Sequence, residues 1–393
     1  MNVTIYPSKL RGTIASIASK SHMQRLLICA ALADAPTELI CNDISDDIRA
    51  AVDCLTALGA AVAKTPLGYR VDPIHKLPEK ACLPCKESGA VLRFLLPVVG
   101  ALGVEATFLP EGRLAERPLS PLLEEMARHG CHLEWDAENR LHCEGKLRSG
   151  SYTLPGNVSS QFISGLLMAF PLIEGTCELT VTGTVASKPY LQMTRDVLSL
   201  FGIKKESDKC YRSPGTTSAE GDWSGAAFYL GANSLGSDVA VDGLNPDSSQ
   251  ADRAITALLP LLKNNTAVDV ADHPDLTPIL AVIAAGSNGA VFTNISRLRL
   301  KESDRVASIR AMLDTMGIST DVGENTLTVF PGKFRGGTVD SFGDHRIAMA
   351  AAIAATAAAE PVTILDAQCV SKSYPRFWED YQTLGGRYEF HLR

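Results

Sequence analysis

Residues Pro274 to Asn294 read PDLTPILAVIAAGSNGAVFTN. A run of helical length, Leu276 to Ala285, meets the turn Gly286, Ser287, Asn288, Gly289 and then a short β-prone run, so the stretch is expected to fold as helix, turn and strand. Pro278 and the polar turn interrupt its apolar character, which argues against a bilayer span. The same order recurs six times. Turn-and-strand segments begin near Pro36, Gly103, Gly175, Gly236, Gly289 and Pro361, spaced by 67, 72, 61, 53 and 72 residues. The strands are expected over Thr37 to Asn42, Val104 to Leu109, Thr176 to Thr182, Ser237 to Asp242, Ala290 to Asn294 and Val362 to Asp366. A period that long is a supersecondary unit of strands plus helix, and a lone unit could not bury its apolar face. The six must therefore pack together.

A chain of 393 residues exceeds the size at which one core stops growing, so two domains of three units each are expected. The turn formers Ala219 to Gly225 lie between the third and fourth units and mark the crossing. Asp208 to Thr217, poor in core pattern, reads as a hairpin just before it. The net charge of -7 argues against a nucleic-acid partner, because phosphate backbones need a broad basic surface. Met1 to Arg11 lacks the apolar core of a signal peptide, so the expected location is cytoplasmic, with no membrane partner. Of the ten cysteines, Cys29, Cys41 and Cys177 lie inside apolar runs, as small buried hydrophobes do. Cys82 and Cys85 have metal-ligand spacing, but the pair stands alone and reads as a loop detail; no metal site is expected.

Each repeat helix follows a polar cluster: Lys20, Ser21; Glu87, Ser88, Gly89; Ser159, Ser160, Gln161; Asp222, Trp223, Ser224; His273, Pro274, Asp275; and Asp344, His345, Arg346. Capping accounts for small polar residues at these points. It does not account for Lys20, Arg25, Arg93 and Arg346, since a cation near the positive end of a helix dipole is mildly unfavourable. An external anion, held by free amides and guanidinium together, resolves the conflict. In Lys301, Glu302, Ser303, Asp304 and Arg305, two cations at i and i+4 would repel if the segment were helical. Arg117 in Glu116, Arg117, Pro118 and Lys372 after the last β-rich run add cations in loops, where α/β units place functional groups.

In this order these motifs, with Ser187, Lys188, Pro189, Tyr190, resemble those of the 5-enolpyruvylshikimate-3-phosphate synthase family. The resemblance spans the whole chain. It implies an α/β, two-domain enolpyruvyl-transferase fold (inverted α/β barrel-like), each domain made of three βαβαββ-type repeats. The N-terminal domain is expected over residues 13–220 and the C-terminal domain over 1–12 plus 221–393, with the active site in the interdomain cleft.

The implied reaction transfers the enolpyruvyl group of phosphoenolpyruvate to the 5-hydroxyl of shikimate 3-phosphate by addition and elimination, releasing phosphate. No cofactor is implied, and a monomer is expected. By match to the family's motifs, Lys20, Ser21, Arg25, Ser159, Ser160, Gln161, Ser187, Asp275 and Lys301 would hold shikimate 3-phosphate. Lys20, Gly89, Arg117, Gln161, Arg305, Arg346 and Lys372 would hold phosphoenolpyruvate. Asp275 would be the base for the 5-hydroxyl, Glu302 the acid for the enol methylene, and Lys20 a third catalytic group. A cation excess should keep Asp275 ionised while Glu302 holds a proton, pushing the two pKa values apart. Two positions depart from pattern: Ala90 stands where Thr or Ser is expected, and Arg297 where some relatives carry Asn.

Two alternatives share these features. The enolpyruvyl transferase acting on a UDP-amino sugar typically has Lys-Asn at its first motif and a loop cysteine, whereas this chain has Lys20, Ser21 and no cysteine beside Arg117. A non-catalytic module that senses a phosphorylated metabolite would keep the arginines but not need Asp275 and Glu302. Phosphate-loop, dinucleotide, nucleophile-elbow and paired-histidine zinc motifs are absent from the sequence.

Overall fold

The computed structural model describes residues 1–205, 207–264 and 266–391; residues 392 and 393 of the expected C-terminal domain lie outside them. The chain divides into two compact units, one of Ala18–Glu220 and one of Met1–Ile17 with Gly221–Arg393. The crossing at Glu220 and Gly221 falls in the turn-rich stretch. The first boundary lies at 17/18 rather than 12/13, because the strand Arg11–Ala15 pairs in parallel with Asp238–Asp242 and keeps the chain in the second unit through that ladder.

All six expected strands form, over Thr37–Ile40, Glu105–Pro110, Cys177–Thr182, Asp238–Asp242, Ala290–Thr293 and Val362–Leu365. Among the described residues each unit holds two four-stranded sheets and one two-stranded sheet. All four larger sheets share one plan. A repeat strand pairs in parallel with one neighbour and antiparallel with a second, which pairs antiparallel with the fourth. In one of these sheets the plan is completed from the far end of the chain: Asn2–Tyr6 lies between Val362–Leu365 and Arg387–His391. The plan repeats because each repeat has the same problem, one apolar sheet face that only a helix can cover.

The repeat helices supply that cover from inside. His345–Ala355 is buried along its whole length, and every residue of Thr277–Ala285 is buried. A helix apolar on all sides belongs in an interior, and alanine lets neighbours approach closely while favouring the helix. Trp223–Ala232, Thr277–Ala285 and His345–Ala355 pack against one another in one core. In the other unit Gly89–Leu102 packs on Ser160–Ala169 and Lys20–Ala31. Gly103 ends its helix at φ +73°, a left-handed conformation that glycine adopts without a Cβ penalty, and so turns the chain into the next strand.

Three expectations fail. Residues 208–215 form no hairpin: Asp208 accepts the amides of Lys204 and Lys205, and the first strand reached is Thr216–Ser218. Cys82 and Cys85 lie in the strand Lys80–Lys86, not in a loop, with Cys82 exposed and Cys85 buried, so they do not converge. Lys301 and Arg305 do not share a helix face. Asp304 caps the amides of Val306 and Ala307, which starts the helix Arg305–Thr315 at Arg305 and leaves Lys301 in extended backbone. Among the described residues no helix is long and apolar enough to cross a membrane.

Candidate active site

In the unit Ala18–Glu220 the cluster is built on helix starts. Ser19 rather than Ser21 caps the helix Lys20–Ala31, and its hydroxyl accepts the His22 amide. This sets Lys20 in the first turn, 2.9 Å from Asp47. Gln24, one turn on, donates to Ser88 Oγ (3.0 Å) and to the Asp47 carbonyl (3.3 Å), tying that helix to the start of Gly89–Leu102. Gly89 has a steric reason: a Cβ there would stand 2.9 Å from Arg117 Nη1. Gly89 and Arg117 are thus brought together although 28 positions apart in the sequence (117 minus 89).

Arg25 is buried, with Nε donating to Thr194 Oγ1 (2.8 Å), Nη1 to the Ser21 carbonyl (2.7 Å) and Nη2 to the Tyr190 carbonyl (3.3 Å). Its guanidinium carbon sits 4.6 Å from the centre of the Phe94 ring. Every acceptor is neutral. Burial pushes the Arg25 pKa down to about 10, which still leaves it cationic at neutral pH. The Tyr190 carbonyl belongs to the segment that starts at Ser187, a buried residue held at φ +57°; non-glycine residues adopt that region at a cost of about 1 kcal/mol or more. Ser159 caps Ser160–Ala169 by accepting the Gln161 amide at 3.3 Å, and Ser160 is buried in the first turn.

The unit that contains Met1–Ile17 and Gly221–Arg393 gathers the remaining groups around Arg305, whose side chain is 0 % exposed. Its Nη1 donates to Asp275 Oδ1 at 2.6 Å, Nη2 to Glu302 Oε2 at 2.7 Å and Nε to Asp344 Oδ2 at 2.9 Å. Nη1 also reaches the Pro274 carbonyl at 3.3 Å, so four of the five guanidinium N–H groups are engaged. Arg346 donates to Asp275 Oδ2 at 3.1 Å, and Lys301 Nζ lies 3.5 Å from Asp275 Oδ1. Asp344 caps His345–Ala355 through the Arg346 amide, so one carboxylate both starts that helix and orients Arg305. His345 is buried behind it. Lys372, also buried, ends the 3-10 turn Ala367–Lys372 that packs on the same helix.

This cluster is not the plain cation excess expected. Lys301, Arg305 and Arg346 face Asp275, Glu302 and Asp344, because carboxylates are needed to keep buried cations from being uncompensated. Burial favours the neutral form of Asp275, yet Arg346, Lys301 and Arg305 outweigh it, and Glu302 opposes them; the carboxyl is held well below the usual carboxylate range. That is the direction in which surrounding cations were expected to move Asp275. Burial, helped by Arg305 and Arg297 and opposed by Asp275 and Glu302, pushes Lys301 down to about 8.

Three pairings were not legible in the sequence, although two of the residues, Arg93 and Asp344, were singled out there. Asp47 holds Lys20, Asp344 holds Arg305, and Arg93 donates to Gln161 Oε1 at 2.8 Å and to the Pro118 carbonyl at 3.2 Å. Arg93 had a signal, a cation one turn after Gly89; Asp344 had one too, but read only as a cap. Asp47 had none, because its link to Lys20 is tertiary.

The family model described as EPSP synthase (3-phosphoshikimate 1-carboxyvinyltransferase) matches residues 5–266 and 256–381. A 3-phosphoshikimate 1-carboxyvinyltransferase of Clostridium kluyveri is 36% identical, covering 98% of this chain and 97% of that protein. One from Clostridium acetobutylicum is 37% identical over 98% of this chain and 97% of its own length. Among solved structures, an EPSP synthase from Acinetobacter baumannii superposes with a TM-score of 0.78 at 22% identity, covering 99% of this chain and 100% of that one. The enolpyruvyl transferase NikO from Streptomyces tendae gives 0.76 at 17%, covering 99% and 98%. The structures establish the enolpyruvyl-transferase fold, and the sequence matches extend through both carboxylate and arginine clusters. The chain therefore belongs to the EPSP synthase (3-phosphoshikimate 1-carboxyvinyltransferase) family.

Proposed function

We propose that this chain transfers the enolpyruvyl group of phosphoenolpyruvate to the 5-hydroxyl of shikimate 3-phosphate, with Asp275 and Glu302 handling the two protons. The observation that carries this reading is the anchoring of both carboxylates on one buried guanidinium, Arg305, at 2.6 and 2.7 Å. Two groups held that way keep a fixed separation, as a concerted addition requires. Asp275 takes the hydroxyl proton as oxygen attacks C2 of phosphoenolpyruvate, and Glu302, which takes up a proton when the substrate anions bind beside it, delivers that proton to the methylene carbon, giving a tetrahedral intermediate. Loss of a methyl proton and of phosphate then restores the enol.

The cations offset the repulsion of two polyanions. Arg25, with Ser21, Ser159, Ser160, Ser187 and Lys301, serves shikimate 3-phosphate, and Gln161 touches both substrates. Lys20, Arg117, Arg305, Arg346 and Lys372 serve phosphoenolpyruvate, with Gly89 giving the room that the Arg117 guanidinium needs. Lys20 also borders the reacting centre. Phosphate release tests the reading directly. It should require both substrates and stay at background with either alone or with UDP-N-acetylglucosamine in place of shikimate 3-phosphate. Release that depends on the UDP-sugar, or binding without release, would replace it.

A further inference from the structure

Ser88 stands at the start of Gly89–Leu102, in the place where a serine hydroxyl usually accepts a helix amide, and it accepts none of them. Elsewhere in the same unit Ser19, Ser45 and Ser159 each accept an amide of the helix they begin. Ser88 has extended backbone as those three do, at φ -80° and ψ 95°, so its conformation is no obstacle. Its hydroxyl is engaged by Gln24, whose Nε2 donates to Oγ at 3.0 Å. The Leu92 amide donates to the Ser88 carbonyl, and the amides of Gly89, Ala90 and Val91 precede that bond, where a helix has no acceptor of its own.

Gln24 is fully buried, and among the described residues its Oε1 has no hydrogen-bond partner. A bare buried acceptor costs stability that methionine or leucine in the same space would not lose. What a glutamine supplies there is its donor. Nε2 also reaches the Asp47 carbonyl at 3.3 Å, and because a carbonyl only accepts, this contact sets the amide with its N–H groups toward Ser88. Arg117 gives an independent sign of what the open helix start is for. A Cβ at Gly89 would lie 2.9 Å from its Nη1, 3.0 Å from Cζ and 3.2 Å from Nη2, so the guanidinium rests against the first residue of the helix. A cation beside the positive end of a helix is unfavourable alone and favourable around a shared anion. We propose that Gln24 is a positioning residue: by holding the Ser88 hydroxyl it keeps Gly89–Leu102 uncapped and leaves the first-turn amides, with Arg117, to an anionic group of phosphoenolpyruvate. The inference rests on the reading of Gly89 and Arg117 as phosphoenolpyruvate groups.

Gln24→Met fills the same space without a donor. The freed Ser88 hydroxyl should then accept the Ala90 or Val91 amide, as caps do, and compete with the substrate. The KM for phosphoenolpyruvate should rise about tenfold, the effect of one lost charge-assisted hydrogen bond, while kcat and the KM for shikimate 3-phosphate stay within about threefold of the parent. Adding Ser88→Ala removes the competing hydroxyl and should return the KM for phosphoenolpyruvate to within about threefold of the parent. A mere packing defect would persist or deepen with the second substitution, so the sign of this coupling separates the two roles. A folded Gln24→Met protein with the parent KM overturns the proposal, as does a double variant whose KM stays at that of Gln24→Met. Melting temperatures establish folding. If Gln24→Met does not fold, hydrogen exchange in the parent decides: adding phosphoenolpyruvate and shikimate 3-phosphate should slow the Ala90 and Val91 amides at least tenfold, and unchanged exchange overturns the proposal. Failure of the underlying reading is a separate outcome, an unchanged KM for phosphoenolpyruvate in Arg117→Met.

Discussion

In the unit Ala18–Glu220 the buried guanidinium of Arg25 is held by one hydroxyl, two backbone carbonyls and an aromatic face, whereas in the other unit the equally buried guanidinium of Arg305 is held by three carboxylates. Burying an ion costs several kcal/mol, and neutral dipoles with a ring contact of about 1 kcal/mol recover only part of that. Arg25 therefore keeps an unspent attraction for an anion from outside. Arg305 has spent most of its attraction on Asp275, Glu302 and Asp344, and in return holds two proton-transfer groups still. One cation is arranged for grip and the other for orientation.

The contrast is tested most severely by removing the oriented groups. Asp275→Asn and Glu302→Gln should each lower turnover by about 10³-fold, within the range for a lost general base or acid, while the Kd for shikimate 3-phosphate shifts far less in the Glu302 variant. Rapid-quench phosphate release and calorimetric binding, run side by side, separate the two effects. A smaller difference is expected from replacing each arginine by an apolar residue of similar length. Arg305→Met takes the guanidinium away from three carboxylates, of which Asp275 keeps Arg346 and Lys301, and should cost about 3–5 kcal/mol of stability in denaturant titration, whereas Arg25→Met strands no carboxylate and should leave stability within about 1 kcal/mol. Arg25→Met should instead weaken shikimate 3-phosphate binding about 100-fold. Equal losses of stability in the two variants would erase the distinction.

The pH dependence of binding gives a milder effect. Lys301 is cationic below its pKa of about 8 and neutral above it, so affinity for the anionic shikimate 3-phosphate should fall as pH rises through 8. A decrease of up to about tenfold between pH 7 and 9 is expected from a charge-assisted contact, and Lys301→Met should abolish that trend. The smallest effect is steric. Gly89→Ala places a methyl 2.9 Å from Arg117 Nη1, and because the clash is with the end of a flexible side chain, Arg117 moves aside. The KM for phosphoenolpyruvate should rise severalfold with the fold intact; an unchanged KM would separate Arg117 from that substrate.

Much of the molecule was legible because it is local. Helix starts at Gly89, Ser160 and Trp223, and strands such as Cys177–Thr182, follow from apolar runs bounded by caps and turn residues, whose preferences act over a few positions. Where local rules compete, reading along the chain fails. Lys301 to Arg305 satisfied a helical spacing, but Asp304 captured two amides and set the helix start four residues later than that spacing implied. Asp208 likewise took the amides of Lys204 and Lys205, and no hairpin formed.

The motif residues of the site were legible by resemblance, and their partners were not. Nothing near Lys20 in the chain points to Asp47, and nothing near Gln161 points to Arg93, since each pair meets only after separate helices have packed. The sequence by itself determined six helix-turn-strand units, the crossing near Glu220 and the residues that bear charge, because these depend on side chains a few positions apart. Only the tertiary structure decided which charge meets which. Packing the Ala-rich helices brings their N-terminal ends together, and burial there makes each pairing, carboxylate for Arg305 or neutral oxygen for Arg25, set how that cation behaves.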